Sequence, residues 1–212
     1  MTETVFTSSD PSVNPPGEPE AEIVRRAISD PQAFGPLYEL YYSRMLSYAY
    51  RCTGSVSAAE EVTSSTFFKA LRGLKSYRGK SPFSCWIYRI ATNELRMYWR
   101  SGRTSQFQTR WQEDVARIYF DLHAPSGDAS DQLAEFARLH AALALLPEKY
   151  RVPLTLRYFE GMPIELIGTT LGKRTGTVKS LLHRGLDRLK RILLAGNATN
   201  AASSHLHLRQ QQ

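Results

Sequence analysis

Residues 163–194 read PIELIGTTLGKRTGTVKSLLHRGLDRLKRILL, and the spacing of their apolar residues decides the fold. PIELIGTTL predicts a short helix, Gly172-Lys173-Arg174 a tight turn, and the stretch from about Thr175 to Leu194 a long helix. On a helical wheel Val178, Leu182, Gly185, Leu186, Leu189 and Leu193 share one face, while Lys179, Ser180, His183, Asp187, Lys190 and Arg191 lie opposite. A short helix, a Gly-containing turn and a second helix form a helix-turn-helix. Its apolar face packs inward and its N-terminal polar face can enter a DNA groove. Lys and Arg there can pair with guanine acceptors. Thr175 and Thr177 can hold phosphate beside the free amides of the helix N-terminus.

Working outward, helix signals continue in both directions and strand alternation is nowhere sustained. Ser29-Asp30-Pro31 opens a helical region, FGPLYELYYSRMLSYAYR follows with an aromatic face, and Thr53-Gly54-Ser55 breaks it. Ser57 with Glu60 three residues on predicts a capping box for the next helix. Ser81-Pro82 starts another, FSCWIYRIATNELRMYWR. DQLAEFARLHAALALL and EKYRVPLTLRYFE precede the helix-turn-helix, the second with Pro153 as an expected kink or boundary. The fold class is therefore all-α, with two small helical domains at 21–101 and 130–195. A disordered acidic, Pro-rich leader (1–20), a polar flexible linker (102–129, with one short helix around QEDVARIYFDL) and a disordered polar tail (196–212) are expected around them.

The net charge of +7 is unevenly distributed. Residues 69–110 carry ten Lys/Arg against Glu94 alone, and residues 173–191 carry seven against Asp187 alone. Two separate basic blocks predict two contacts with a polyanion. The first block differs in kind, because aromatics are interleaved with its bases. Phe83, Ile87, Ile90 and Met97 form one side of its helix, and Trp86, Arg89, Asn93, Arg96 and Arg100 another. Planar groups, an amide and a positive track suit unpaired bases, which stack on aromatics and run their backbone along cations. Taken singly, each aromatic reads better as a core filler beside solvated arginines, and it is their combination that points to nucleic acid. Glu94 falls on the apolar side without a reason in the sequence.

Other classes of function find little support. Cys52 and Cys85 stand far apart with no CxxC, against a disulfide framework or zinc knuckle and in keeping with a reducing cytosol. The pair His205-x-His207 is too sparse for a metal. There is no Gly-rich phosphate loop and no plausible triad, so a binding protein without cofactor is expected rather than an enzyme. The leader has no apolar core of a signal peptide, and no apolar run reaches the length of a membrane span.

Both blocks resemble the extracytoplasmic-function subfamily of the sigma-70 RNA polymerase sigma factors. The markers are AEEVTSSTF, YRGKSPF and WIYRIATNE in the first domain, then ALALLPEKYR, LRYFEGM and GTVKSLLHRG in the second. The resemblance covers about three quarters of the chain, and it implies a factor that lends promoter specificity to core RNA polymerase. Glu60, Glu61, Val62, Ser64 and Phe67 match positions that dock on the polymerase clamp. Tyr77 and Asn93 match the pocket for a base flipped from the minus-ten element, with Trp86, Arg89, Arg96 and Arg100 bracketing the melted strand. Lys179, Ser180, His183 and Arg184 match positions that read the minus-thirty-five duplex, with Arg174, Thr175 and Thr177 towards phosphate. Leu181 stands where the family often has Arg, and Ser64 near a usual Gln. The implied partners are core polymerase and promoter DNA, with room for an anti-sigma factor, and the implied state is a cytoplasmic monomer. A stand-alone helix-turn-helix regulator is the main alternative; it explains residues 173–191 but leaves the Tyr77–Arg103 block without a purpose.

Overall fold

The computed structural model describes residues 19–101 and 129–209, and all their regular elements are helical. The N-terminal module holds α1 (Glu20–Ser29), a 3-10 turn (Pro31–Phe34), α2 (Gly35–Thr53), α3 (Val56–Gly73), a second 3-10 turn (Leu74–Ser76) and α4 (Phe83–Arg100). The C-terminal module holds α5 (Ala129–Ala144), α6 (Glu148–Tyr158), α7 (Ile164–Leu171) and α8 (Thr175–Arg209). The leader to residue 18 and the helix expected around residues 112–122 lie outside the described residues.

Local chemistry sets most boundaries. The Asp30 side chain accepts the Gln32 amide at 2.9 Å and caps the turn that leads into α2. Gly54 ends α2 at φ 67°, the left-handed geometry that costs glycine nothing. The chain then leaves Ser55 extended, and Ser55 Oγ accepts the Ala58 amide at 3.4 Å. Ser55 is thus the N-cap of α3, and the expected capping box of Ser57 with Glu60 is not formed, because Ser57 already lies inside the helix. Pro153 does not end α6, which runs through it to Tyr158 with Val152, Leu154 and Leu156 buried on either side. The last helix also departs from expectation. It continues to Arg209 through the stretch expected to be a disordered tail, which contains several good helix-forming alanines and no proline.

In the N-terminal module α2 packs on α3 and α4. Leu37, Tyr41, Met45 and Tyr48 of α2 are sealed against Val62, Phe67 and Ala70 of α3 and Ile87, Tyr88, Ala91 and Leu95 of α4. Each fully buried side chain of this kind contributes about 1.5–3 kcal/mol relative to exposure. The Tyr48 hydroxyl is satisfied at 2.9 Å by Thr92 Oγ1. Met97, expected on the apolar side, is 51% exposed. Glu94 is buried, and Lys69 Nζ from α3 meets its carboxylate at 2.7 Å, so the acid on the apolar side is paired from a neighbouring helix.

In the C-terminal module α8 packs on α6, and Gly185 lets the two come together. A Cβ at Gly185 would stand 2.9 Å from Leu154 Cδ1. The turn of the helix-turn-helix is equally tight: Gly172 has φ 63°, the Lys173 amide donates to Gly168 O at 2.9 Å, and Val178 is fully buried.

The two modules are packed together, α2 against α5 and α6, and α4 against α7. The seam contains charge. Glu160, just after α6 and 7% exposed, faces Arg51 Nη1 at 3.4 Å and accepts the Tyr88 hydroxyl. Burial pushes the Glu160 carboxyl upward from its ordinary pKa, while the Tyr88 bond and the charges of Arg51 and Arg44 pull it back. Arg151, also buried, donates to Leu146 O and Ala144 O at 2.7 Å within its own module and to Cys52 O across the seam at 2.5 Å. His140 is buried between Phe136 and Tyr50, ring centroids 4.1 Å and 5.7 Å away.

Two outcomes follow for stability. A Cβ at Gly168 would lie 2.7 Å from the Lys173 carbonyl, a backbone atom that cannot swing away. Gly168→Ala should therefore destabilise the chain by about 1–3 kcal/mol in urea unfolding, and an unchanged midpoint would contradict the tight turn. Burial, helped by the charge of Arg51, holds the His140 pKa down to about 4 from 6.5. The unfolded chain takes up this proton as pH falls below 6.5 and the folded chain does not until about 4. Stability from this residue is complete above 6.5 and is lost as pH falls towards 4, by roughly 2–3 kcal/mol at pH 4.5. His140→Phe should remove that part of the slope, read as the difference between urea midpoints at pH 7 and pH 4.5 for the two proteins.

Candidate nucleic-acid interface

The first candidate surface is built on α4 and the loop before it. Gly79 turns the loop at φ 67°, and the Tyr77 hydroxyl donates to Ser81 O at 2.6 Å, which ties the loop to the start of α4. The Tyr77 ring then meets Phe83 edge-on and Trp86 at a tilt, both with centroids 5.5 Å away. Trp86 lies beside Gly73, where a Cβ would be 3.6 Å from the indole. Tyr77 and Trp86 are thus brought together, half-buried, in one aromatic cluster at the N-terminal end of α4.

Asn93 stands two turns further along α4, about 10 Å from Trp86 by helical rise. It is exposed, and its amide oxygen accepts Arg96 Nη1 at 3.2 Å. Arg100 continues the stripe, with Nε on Arg96 O at 3.2 Å. The fold places Trp86, Arg89, Asn93, Arg96 and Arg100 along one side of α4, as the wheel predicts, but two of the arginines are occupied. Arg89 donates to the carbonyls of Thr169 and Thr170 at the end of α7. Arg96 Nε donates to Glu148 at the start of α6 at 2.9 Å. Trp99, not singled out among the site residues above, completes this end. Its ring lies 5.5 Å from the Arg151 guanidinium, and with Arg96, Arg100 and Glu148 it lines an open cleft between the modules.

The second surface is the exposed face of α8. Arg174, Thr175, Thr177, Lys179, His183 and Arg184 are all exposed, and Ser180 is half-buried. Arg184 is steered by Ser180, whose Oγ accepts its Nη2 at 2.6 Å and its Nε at 3.1 Å. His183 Nε2 lies 3.6 Å from Asp187. Val178 and Leu182 hold the helix down from the opposite side, while Leu186, expected on that side, is 40% exposed. This face presents one ammonium, two guanidiniums, an imidazole and the hydroxyls of Thr175 and Thr177 to solvent, with the Ser180 hydroxyl half-buried beside Arg184.

The third surface runs along α3 and corrects the sequence reading. Glu60, Glu61 and Ser64 are exposed as expected, but Val62 and Phe67 are 3% and 5% exposed. Phe67 packs on Phe34, Tyr38 and Tyr42. These two side chains hold α3 in the bundle and offer almost no surface to a partner. The apolar residues that do face outward are Phe68 and Leu71, 59% and 41% exposed, in line with Glu61 and Ser64 at helical spacing, and Tyr38 of α2 is 42% exposed. The i, i+3, i+7, i+10 spacing of Glu61, Ser64, Phe68 and Leu71 is legible in the sequence once the α2-facing stripe is known.

Among the described residues, no group of three His, Cys, Asp or Glu could hold a metal ion, and no helix is long and apolar enough to cross a membrane. Both modules match known families in sequence. Residues 37–104 match the Sigma-70 region 2 family and residues 136–189 the Sigma-70 region 4 family. The chain is 34% identical over 203 residues to the ECF RNA polymerase sigma factor SigE of Mycolicibacterium smegmatis, covering 94% of this chain and 77% of that protein. It is 32% identical over 183 residues to the RNA polymerase sigma-H factor of Pseudomonas aeruginosa, covering 83% of this chain and 94% of that one. Among solved structures, CnrH in complex with the cytosolic domain of CnrY superposes with a TM-score of 0.59 at 22% identity, covering 82% of this chain and 96% of that chain. The sigma factor RpoE of Bartonella quintana, solved with the anti-sigma factor NepR, superposes with a TM-score of 0.57 at 20% identity, covering 76% and 96%. With two family matches in order along one chain and relatives at this identity, the chain belongs to the extracytoplasmic-function (ECF) RNA polymerase sigma factors, which serve transcription initiation.

Proposed function

We propose that this sigma factor works by binding alone, with three surfaces dividing the task. The exposed stripe of α3, with Glu60, Glu61, Ser64, Phe68 and Leu71, docks on core RNA polymerase. The outer face of α8 reads a duplex upstream element, with Lys179, Ser180, His183 and Arg184 at base edges and Arg174, Thr175 and Thr177 at phosphate. The α4 surface captures the melted downstream strand: Tyr77 and Trp86 stack on bases, Asn93 offers a donor and an acceptor to one base edge, and Arg89, Arg96 and Arg100 follow the backbone. Flipping a base costs a few kcal/mol of unstacking, which the pocket offsets, so opening is sequence-selective and needs no ATP. The site of action is the cytoplasm, the working form a monomer, and an anti-sigma factor a further partner.

The observation that carries this reading is that one chain presents two basic surfaces of different construction. The α8 face is polar and basic, with Arg174, Lys179 and Arg184 exposed, whereas the α4 face couples arginines to an aromatic cluster. A stand-alone regulator would need only the first. Run-off transcription with core polymerase, followed by sequencing of the RNA starts, tests the reading. Starts clustered behind one promoter sequence are expected, and tight binding to duplex without any effect on initiation would favour the regulator. Asn93→Ala and Tyr77→Ala should impair opening of the closed duplex in permanganate footprints, Tyr77→Ala by loss of stacking worth about 1–3 kcal/mol. A pre-opened bubble should partly rescue Tyr77→Ala. If both variants open the duplex like wild type, the pocket is misassigned.

A further inference from the structure

Residues 1–18 hold three acids, Glu3, Asp10 and Glu18, and no lysine or arginine. The fold fixes where this stretch leaves the N-terminal module. α1 begins at Glu20 and packs on the 3-10 turn Leu74–Ser76, which runs straight into Tyr77. Burial raises the pKa of the Tyr77 phenol and the Glu20 carboxylate raises it further, so the first residue of α1 stands within electrostatic reach of that ring. The surface at this exit is basic. Lys75, Arg78 and Lys80 flank Tyr77 and are exposed, and none of them pairs with an acid among the described residues. Beside them the rings of Tyr77 and Trp86 are half-buried, with part of each open to solvent.

We propose that residues 3–18 of the same chain dock on this surface as a peptide stand-in for the strand: Glu3, Asp10 and Glu18 take the cations that a phosphate backbone would take, and Phe6 lies on the Tyr77–Trp86 cluster where a base would stack. The proposal rests on the assignment of Tyr77 and Trp86 to strand capture. Length allows the docking, since this many residues reach about 60 Å when extended, and Pro11, Pro15 and Pro16 favour extended backbone. A short tether holds the acids near the cations at a millimolar effective concentration, so contacts too weak to retain a separate peptide suffice. Phe6 is the one aromatic residue of the leader. The α8 face, the other basic surface, carries no Phe, Tyr or Trp between Arg174 and Arg191 to receive it, and it belongs to the other module. A melted strand offers a charge at every nucleotide, so it displaces the leader once polymerase holds it in place, whereas a stray strand competes poorly.

The full chain is compared with a variant lacking residues 2–18, with Glu3→Gln/Asp10→Asn/Glu18→Gln and with Phe6→Ala, once equal urea midpoints show that the fold is kept. Affinity is measured for a short fluorescein-labelled single-stranded DNA of mixed sequence and for a duplex of the same sequence. A leader seated in about 80% of molecules lowers apparent strand affinity about fivefold. The truncation should therefore bind the strand about fivefold more tightly, and Phe6→Ala should gain affinity without any change of charge. Duplex affinity should stay within about twofold in all of them, because the α8 face is not covered. In the full chain a carbodiimide should join Glu3 or Asp10 to Lys75 or Lys80, read by mass spectrometry, and an excess of the single strand should suppress these links. Equal strand affinity in all four proteins, equal gains on strand and duplex, or links found only between separate chains would overturn the docking. Tyr77→Ala in the truncated background separates the two ways of failing. If it leaves strand affinity unchanged, the strand-reading assignment fails and the docking with it. If it lowers affinity while truncation alone adds none, the leader docking fails and the strand reader stands.

Discussion

Glu160 is a carboxylate withdrawn from water at the junction of two helical modules, and the packing around it is arranged to tolerate the charge. Desolvating such a group costs several kcal/mol unless it is paired and hydrogen-bonded. Arg51 and the Tyr88 hydroxyl supply both, with Arg44 close enough to add its charge. These partners are carried on α2 and α4, so the acid is satisfied only when the modules meet in one register. Apolar side chains of both modules share one buried core around this acid, so burial supplies the hold of the seam and the polar contacts fix its register.

Placement of the reading surfaces follows from that junction. α4 buries one side in its own bundle through Phe83, Ile87, Ala91 and Leu95, and gives a second side to α7. α8 buries Val178 and Leu182 beneath it and keeps its outer face free. The glycines of the C-terminal module are positional. Gly168 admits the turn, Gly172 makes it, and Gly185 lets α8 approach α6 closely enough to fix the pitch of the reading face.

Much of this was legible in the sequence because it is local. The two-module, all-helical plan, the breaks at Gly54 and Pro82, and the turn at Gly172 all follow from apolar spacing and Gly/Pro punctuation. The stripe from Trp86 to Arg100 and the face of α8 from Lys179 to Arg184 could be drawn on a wheel for the same reason. What failed depended on neighbours distant in sequence. Val62 and Phe67 could be taken for a docking surface until the stripe of α3 that faces α2 was known. Glu94 made no sense without Lys69, and neither the Tyr88–Glu160 bond, 72 residues apart, nor the engagement of Arg89 by α7 leaves any local trace. The capping error had a different origin, since two serines stand two residues apart and only the geometry of Gly54 selects the first.

The account turns on the two modules packing as one body in the free chain. Pulsed electron paramagnetic resonance measures that directly, with spin labels at the exposed positions Ser57 on α3 and Lys190 on α8 and the native cysteines replaced by alanine. The free protein should give one narrow distance distribution. A broad distribution would contradict the account.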